Sequence, residues 1–115
     1  MANTFKVVTK AGVTSADVIY TVAGSTTTVI LGLIIGNTTS SSVNATVTLG
    51  TDTANRAGAN NETNQDVELL TTTPIRGNSS LELLSGNKVV METTDTLSVT
   101  GSGAVDVVLS IMEIT

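Results

Sequence analysis

Any acid–base or nucleophilic chemistry in this chain has to come from hydroxyls, amines and carboxylates, because its 115 residues include neither His nor Cys. The lack of His removes the commonest general base and the commonest metal ligand. The lack of Cys removes thiol catalysis, Cys-based metal sites and disulfides. A Ser or Thr nucleophile would need Lys6, Lys10 or Lys88 as its activating base, held within hydrogen-bond reach. Hydroxyls are so abundant that a Ser or Thr beside one of these lysines is expected by chance, and no spacing singles out a pair. The expectation is a protein that is not an enzyme and that uses no cofactor.

The remaining candidates are carboxylates and loops. Gly101, Ser102 and Gly103 lie between two strand-like runs, where a hairpin turn fits and a phosphate loop opening a helix does not. The polar stretch 50–65 with the adjoining Asp66 carries Asp52, Asn55, Asn60, Asn61, Glu62, Asn64 and Asp66, enough oxygen donors to suggest Ca²⁺. It lacks the ordered acidic positions around a Gly and the closing Glu of an EF-hand, which favours a solvated loop. Arg56 in that loop has the setting of a partner-binding arm. Asp95, between two strands, reads as a turn residue. Glu113 and Asp106, in an alternating C-terminal segment, are expected to face solvent or a neighbouring subunit.

A net charge of -5 argues against nucleic acid and against anionic membrane surfaces as partners. The N-terminal residues MANTFKVV lack the charged and apolar regions of a secretory signal, so the chain is expected to act where it is made. Without such a signal, the sequons at Asn37, Asn44, Asn61 and Asn78 read as chance triplets in a Thr- and Ser-rich chain.

The elements that would position these groups are strands. Thr and Val dominate, Phe5 and Tyr20 are the aromatic residues, and Pro occurs once; β-branched side chains suit a pleated surface better than a helix. Strand-like runs fall at residues 4–9, 17–22, 26–35, 43–49, 66–72, 80–84, 88–93, 96–100 and 104–114, separated by Gly, Asn, Ser and Pro. About eight or nine short strands with no helix between them predict an all-β fold, a single antiparallel β-sandwich domain over residues 1–115, jelly-roll-like. No internal repeat suggests a propeller or solenoid.

The run TTTVILGLIIGNTT, at 26–39, is too short and too broken by Gly32 and Gly36 for a membrane span. Read as a strand, it carries apolar residues on both faces. Strict alternation assigns Val29, Leu31, Leu33 and Ile35 to a core and leaves Ile30 and Ile34 for a neighbouring subunit. In the C-terminal segment, Val105, Val107, Leu109 and Ile111 form one face, and Val108, Met112 and Ile114 the other. Two such strands in a small domain predict an obligate oligomer or attachment to a larger assembly, the alternative being that loops of the same chain cover the second faces. The candidate interface is therefore Ile30, Ile34, Arg56, Val108, Met112 and Ile114.

The opening MANTFK, the segment TTTVILGLIIGNTT, the stretch PIRGNSSLELLSGNKVVMETTDTLSVTGSG and the ending VDVVLSIMEIT resemble a family of small structural proteins of tailed bacteriophages, particularly those of marine and cyanobacterial hosts. The resemblance runs nearly end to end and rests on turn and strand patterns. Two departures stand out: Thr94 occupies a turn position where such proteins often carry Gly, and the Asn-rich loop 50–65 is longer. The resemblance implies a virion component with a β-sandwich fold, assembled in the host cytoplasm. Within that class the expected role is a capsid decoration or cement protein that binds the major capsid protein as a homo-oligomer, a trimer being favoured. The alternative is a tail, neck or fibre-associated protein whose loops contact a host-surface glycan. A carbohydrate-binding module outside a virus is disfavoured by the near absence of aromatic stacking platforms.

Overall fold

The computed structural model describes residues 2–51, 65–84 and 86–115. Arg56, the sequon at Asn61 and most of the oxygen-rich loop considered for Ca²⁺ lie outside the described residues. Nine strands form among those described: β1 (Asn3–Val13), β2 (Asp17–Thr21), β3 (Thr27–Asn37), β4 (Val43–Thr51), β5 (Gln65–Ile75), β6 (Ser80–Leu83), β7 (Val89–Met91), β8 (Thr96–Gly101) and β9 (Val105–Ile114).

They build two antiparallel sheets. One has the order β1-β9-β3-β6, with β7 also pairing with β3, and the other has the order β2-β8-β4-β5. The chain passes from one sheet to the other at nearly every connection, and first and last strands end side by side. That order is a jelly roll, with β6 and β7 sharing one position beside β3.

The core forms where the alternating faces meet. Ile30, Leu33, Ile35, Val105, Val107, Leu109 and Ile111 from the first sheet pack against Val43, Ala45, Val47, Leu97 and Val99 from the second, all buried. In β4 the alternation is regular, with Val43, Ala45 and Val47 buried and Asn44 exposed between them. β9 behaves likewise: Val105, Val107, Leu109 and Ile111 point inward, and Val108 points outward.

β3 does not alternate along its whole length. Its register against β9 shifts between Ile30 and Gly32, where Leu31 is the extra residue of a β-bulge. Thr28 and Ile30 face the core before the bulge, and Leu33, Ile35 and Asn37 face it afterwards. The bulge coincides with the gap between β7, which pairs with Thr28 to Ile30, and β6, which pairs with Leu33 to Gly36. Among the described residues, Leu31 and Gly32 have no strand partner on that side to hold them in register.

The hydroxyl-rich run after β3 is a loop organised by Asn37, which is 3% exposed. The Asn37 amide donates to the carbonyls of Ser41 (2.7 Å) and Ile75 (2.9 Å), and its carbonyl accepts from the Thr39 N–H (2.9 Å). The nitrogen of this sequon is thus committed to backbone acceptors inside the fold.

Asp95, fully buried, accepts the Glu92 N–H at 2.9 Å and closes the turn before β8. In the same turn Thr94 adopts φ 70°, a left-handed conformation that costs a side chain with a Cβ roughly 1–2 kcal/mol. Thr94→Gly is expected to raise stability by about 1 kcal/mol once the extra freedom of Gly in the unfolded chain is deducted. A higher urea midpoint at unchanged slope is the expected reading.

Candidate interaction surface

The charged groups considered for chemistry end up holding strands together. Tyr20 reaches from β2 across to the other sheet, donates its O–H to Glu113 Oε2 (2.5 Å), and accepts from the hydroxyl of the buried Thr28 (2.8 Å). Glu113 Oε1 lies 2.7 Å from Lys6 Nζ, and the Glu113 side chain is 14% exposed. Glu113 therefore turns towards the opposite sheet, not towards solvent or a neighbour as expected. Its register partner on β3 is the inward-facing Thr28, and parity along β9 brings it in. Lys10 pairs with Asp17 at 3.4 Å, and the outward-facing Asp106 accepts the Gly12 N–H at 3.0 Å. Two of the lysines considered as activating bases are thus engaged in ion pairs.

Burial, and next the hydrogen bond to an ionised carboxylate, push the Tyr20 hydroxyl from 10.0 up to about 12. The hydrogen bond from Lys6, followed by that from Tyr20, holds Glu113 below its ordinary carboxyl range. The signs differ. The Tyr20 contribution to stability is complete below pH 10 and is lost as pH rises towards about 12. The Glu113 contribution is complete above the ordinary carboxylate pKa and is lost as pH falls through its depressed folded value. Tyr20 is the single tyrosine and the chain has no Trp, so tyrosinate absorbance reads this group alone. The expected midpoint is about 12, lower in Glu113→Gln; a native-state midpoint at the ordinary tyrosine value would mean that the clasp does not form.

The distinctive surface is the outer face of the β1-β9-β3-β6 sheet. Register places Phe5, Met112, Val29 and Val90 in one row across β1, β9, β3 and β7. Val7 and Ser110 lie in the next row, and Thr9, Val108, Ile34 and Glu82 in the one after that. Phe5 is 71% exposed, Val7 63%, Val90 53%, Ile34 42% and Val108 37%. With strands about 4.8 Å apart and about 3.4 Å per residue, the apolar rows cover roughly 300 Å². That is the size at which a patch on a monomer is often functional.

The rim towards one end is acidic, with Glu82 beside Ile34 and Asp106 opposite Gly36. Beside the bulge a hollow of about 270 Å³ opens between Leu31, Gly32, Ile34, Glu82, Leu83 and Gly86, large enough to take a partner's side chain.

Of the residues expected at an interface, Ile34 and Val108 stand directly opposite each other on this face, and Met112 and Ile114 lie half-buried on it. Ile30 does not: it is 0% exposed, in the core. The bulge at Leu31 reverses the phase that strict alternation would give, so Val29 replaces Ile30 on the outside. Phe5, Val7 and Val90 were not expected. The Phe-Lys-Val alternation of β1 is visible in the sequence, but nothing local says that its apolar side continues the faces of β9 and β3.

The fold and this surface define a jelly-roll module with one apolar, acid-rimmed sheet face. Comparison with protein-family models, curated proteins and solved structures finds no match to the chain.

Proposed function

We propose that this chain is a non-enzymatic structural protein of a tailed-phage particle, a decoration or cement protein that attaches to the major capsid protein. The observation that carries this reading is the outer face of the β1-β9-β3-β6 sheet, where Phe5, Val7, Val90, Ile34 and Val108 are exposed together. Water contact on such a face is relieved only by another surface. The acidic rim and the net charge of -5 suit a partner patch that is apolar at its centre and basic at its edge. The apolar rows are smaller than the roughly 800 Å² per partner of a stable pairwise complex. A contact of that size suits a protein held by several equivalent attachments on a repeating lattice.

Jelly rolls serve viral capsid and lectin domains alike, so the fold does not choose between them and the surface has to. The test is to mix the purified chain with empty, tailless heads and quantify what co-sediments. Binding in fixed ratio to the major capsid protein is the expected result. Absence from heads together with recovery on isolated tails would replace this reading with the tail, neck or fibre one.

A further inference from the structure

Among the described residues the two sheets have four edges, and three of them are obstructed. β2 is five residues long with a register shift between Val18 and Tyr20. β5 carries register shifts opposite Ala45 to Thr48 and has Pro74, which lacks an N–H. The fourth position of the first sheet is split into β6 and β7, of four and three residues. Such features keep edges from pairing with other chains.

β1 has none of them along most of its length. It spans eleven residues, its register with β9 is unbroken from Asn3 to Lys10, and it is exposed throughout that stretch except at the half-buried Val8. Lys6 and Lys10 form ion pairs with Glu113 and Asp17 but stay 54% and 47% exposed, so their charges restrict which register can form without closing the edge.

The hydrogen-bond phase of β1 decides what can add to it. Ala2 and Thr115 exchange both backbone bonds, at 3.0 and 2.9 Å. Antiparallel pairs alternate, so Thr4, Lys6, Val8 and Lys10 bond to β9. Asn3, Phe5, Val7 and Thr9 therefore direct their N–H and C=O groups to the open side.

We propose that two copies of this chain pair through β1, antiparallel about a two-fold axis at Val7, joining the two β1-β9-β3-β6 sheets into one continuous sheet. The occupant is a second copy because the edge is self-complementary. Odd residues must face odd residues for the free groups to bond, which sets Phe5 and Val7 of both copies on the same side of the joined sheet.

Charge then selects the register. Centring on Lys6 opposes Lys6 to Lys6 of the second copy, and centring on Val8 opposes Lys6 to Lys10. Like charges directly opposite are unfavourable. Centring on Val7 sets Lys6 against Val8 and Lys10 against Thr4, with no opposed lysines and a long overlap. The joined sheet doubles the apolar face to roughly 600 Å², bringing it close to the roughly 800 Å² that a stable complex needs from each side. This is a dimer in place of the trimer favoured from sequence, and it rests on the β1 edge, not on the assignment to a phage particle.

The test uses the purified chain alone, so its failure is distinct from failure to bind heads. Sedimentation equilibrium at micromolar concentration is expected to give twice the 11.7 kDa chain mass. Val7→Pro removes an N–H that faces the open edge and is expected to weaken the dimer at least about tenfold. Thr4→Lys, opposite Lys10, is expected to weaken it and Thr4→Glu to strengthen it, a pattern that registers centred on Lys6 or Val8, which set Thr4 against Val8 or Gly12, do not produce. The chain has no Cys, so Val7→Cys is expected to form a disulfide-linked dimer on mild oxidation. Thr9→Cys, set away from the axis, is expected to remain unlinked, and this pair decides the matter if Val7→Pro fails to fold. A monomer, a trimer, or a dimer indifferent to these substitutions would overturn the proposal.

Discussion

Truncating Ile30 to alanine is expected to cost about 2–5 kcal/mol of folding stability, whereas Ile34→Ala in the same apolar run costs about 1 kcal/mol or less. Ile30 is wholly enclosed between the sheets opposite Ile111, and its loss leaves a cavity that neighbouring strands cannot close. Ile34 is 42% exposed, and water replaces the atoms removed. Against a total stability of about 5–15 kcal/mol for a domain of this kind, the first change brings the protein near unfolding and the second does not. Urea titration of both variants is the measurement, with a large fall in midpoint for Ile30→Ala alone. Equal losses would mean that β3 alternates without a bulge and that the outer face is misassigned.

The second large effect concerns attachment. Val108→Asp combined with Phe5→Asp places carboxylates in two apolar rows of the outer face, at 37% and 71% exposed positions, where the fold can accept them. On the proposed reading, binding to empty heads falls by about thirtyfold or more, the equivalent of about 2 kcal/mol, as expected for central contact residues. Val18→Asp is the matched control: Val18 is 50% exposed but belongs to β2, in the other sheet. Its binding is expected to be unchanged. Equal loss in the control would point to charge in general, and no loss in the double variant would remove this face from the contact.

Both predictions depend on phase, which side of a strand each residue takes, and phase was only partly legible in the sequence. In β4 and β9 the apolar residues alternate with polar or outward-facing ones, so the buried sets Val43, Ala45, Val47 and Val105, Val107, Leu109, Ile111 could be read directly. In β3 nearly every residue from Val29 to Ile35 is apolar, so a one-residue slip leaves the pattern looking the same. The slip does occur, at Leu31, and the pairing partners β6, β7 and β9 set its position. Glu113 was misread for a different reason: it shares the inward parity of Val105, Val107, Leu109 and Ile111, but a carboxylate there needs partners. Those partners are Tyr20 and Lys6, two groups more than ninety positions away in the chain.

What the sequence determined by itself was the material and its segmentation. Val and Thr in alternating runs, broken by Gly, Asn and Pro, specify short antiparallel strands because β-branched residues fit a pleated surface and turn residues end it. Missing His and Cys limited the chemistry before any fold was known. The tertiary structure alone decided that β1, β9 and β3 lie side by side, that their outward residues merge into one apolar face, and that β1 ends as an open edge. Adjacency of strands far apart in the chain arises from closing the two sheets over a shared core, a property of the whole packing and not of any local run of residues.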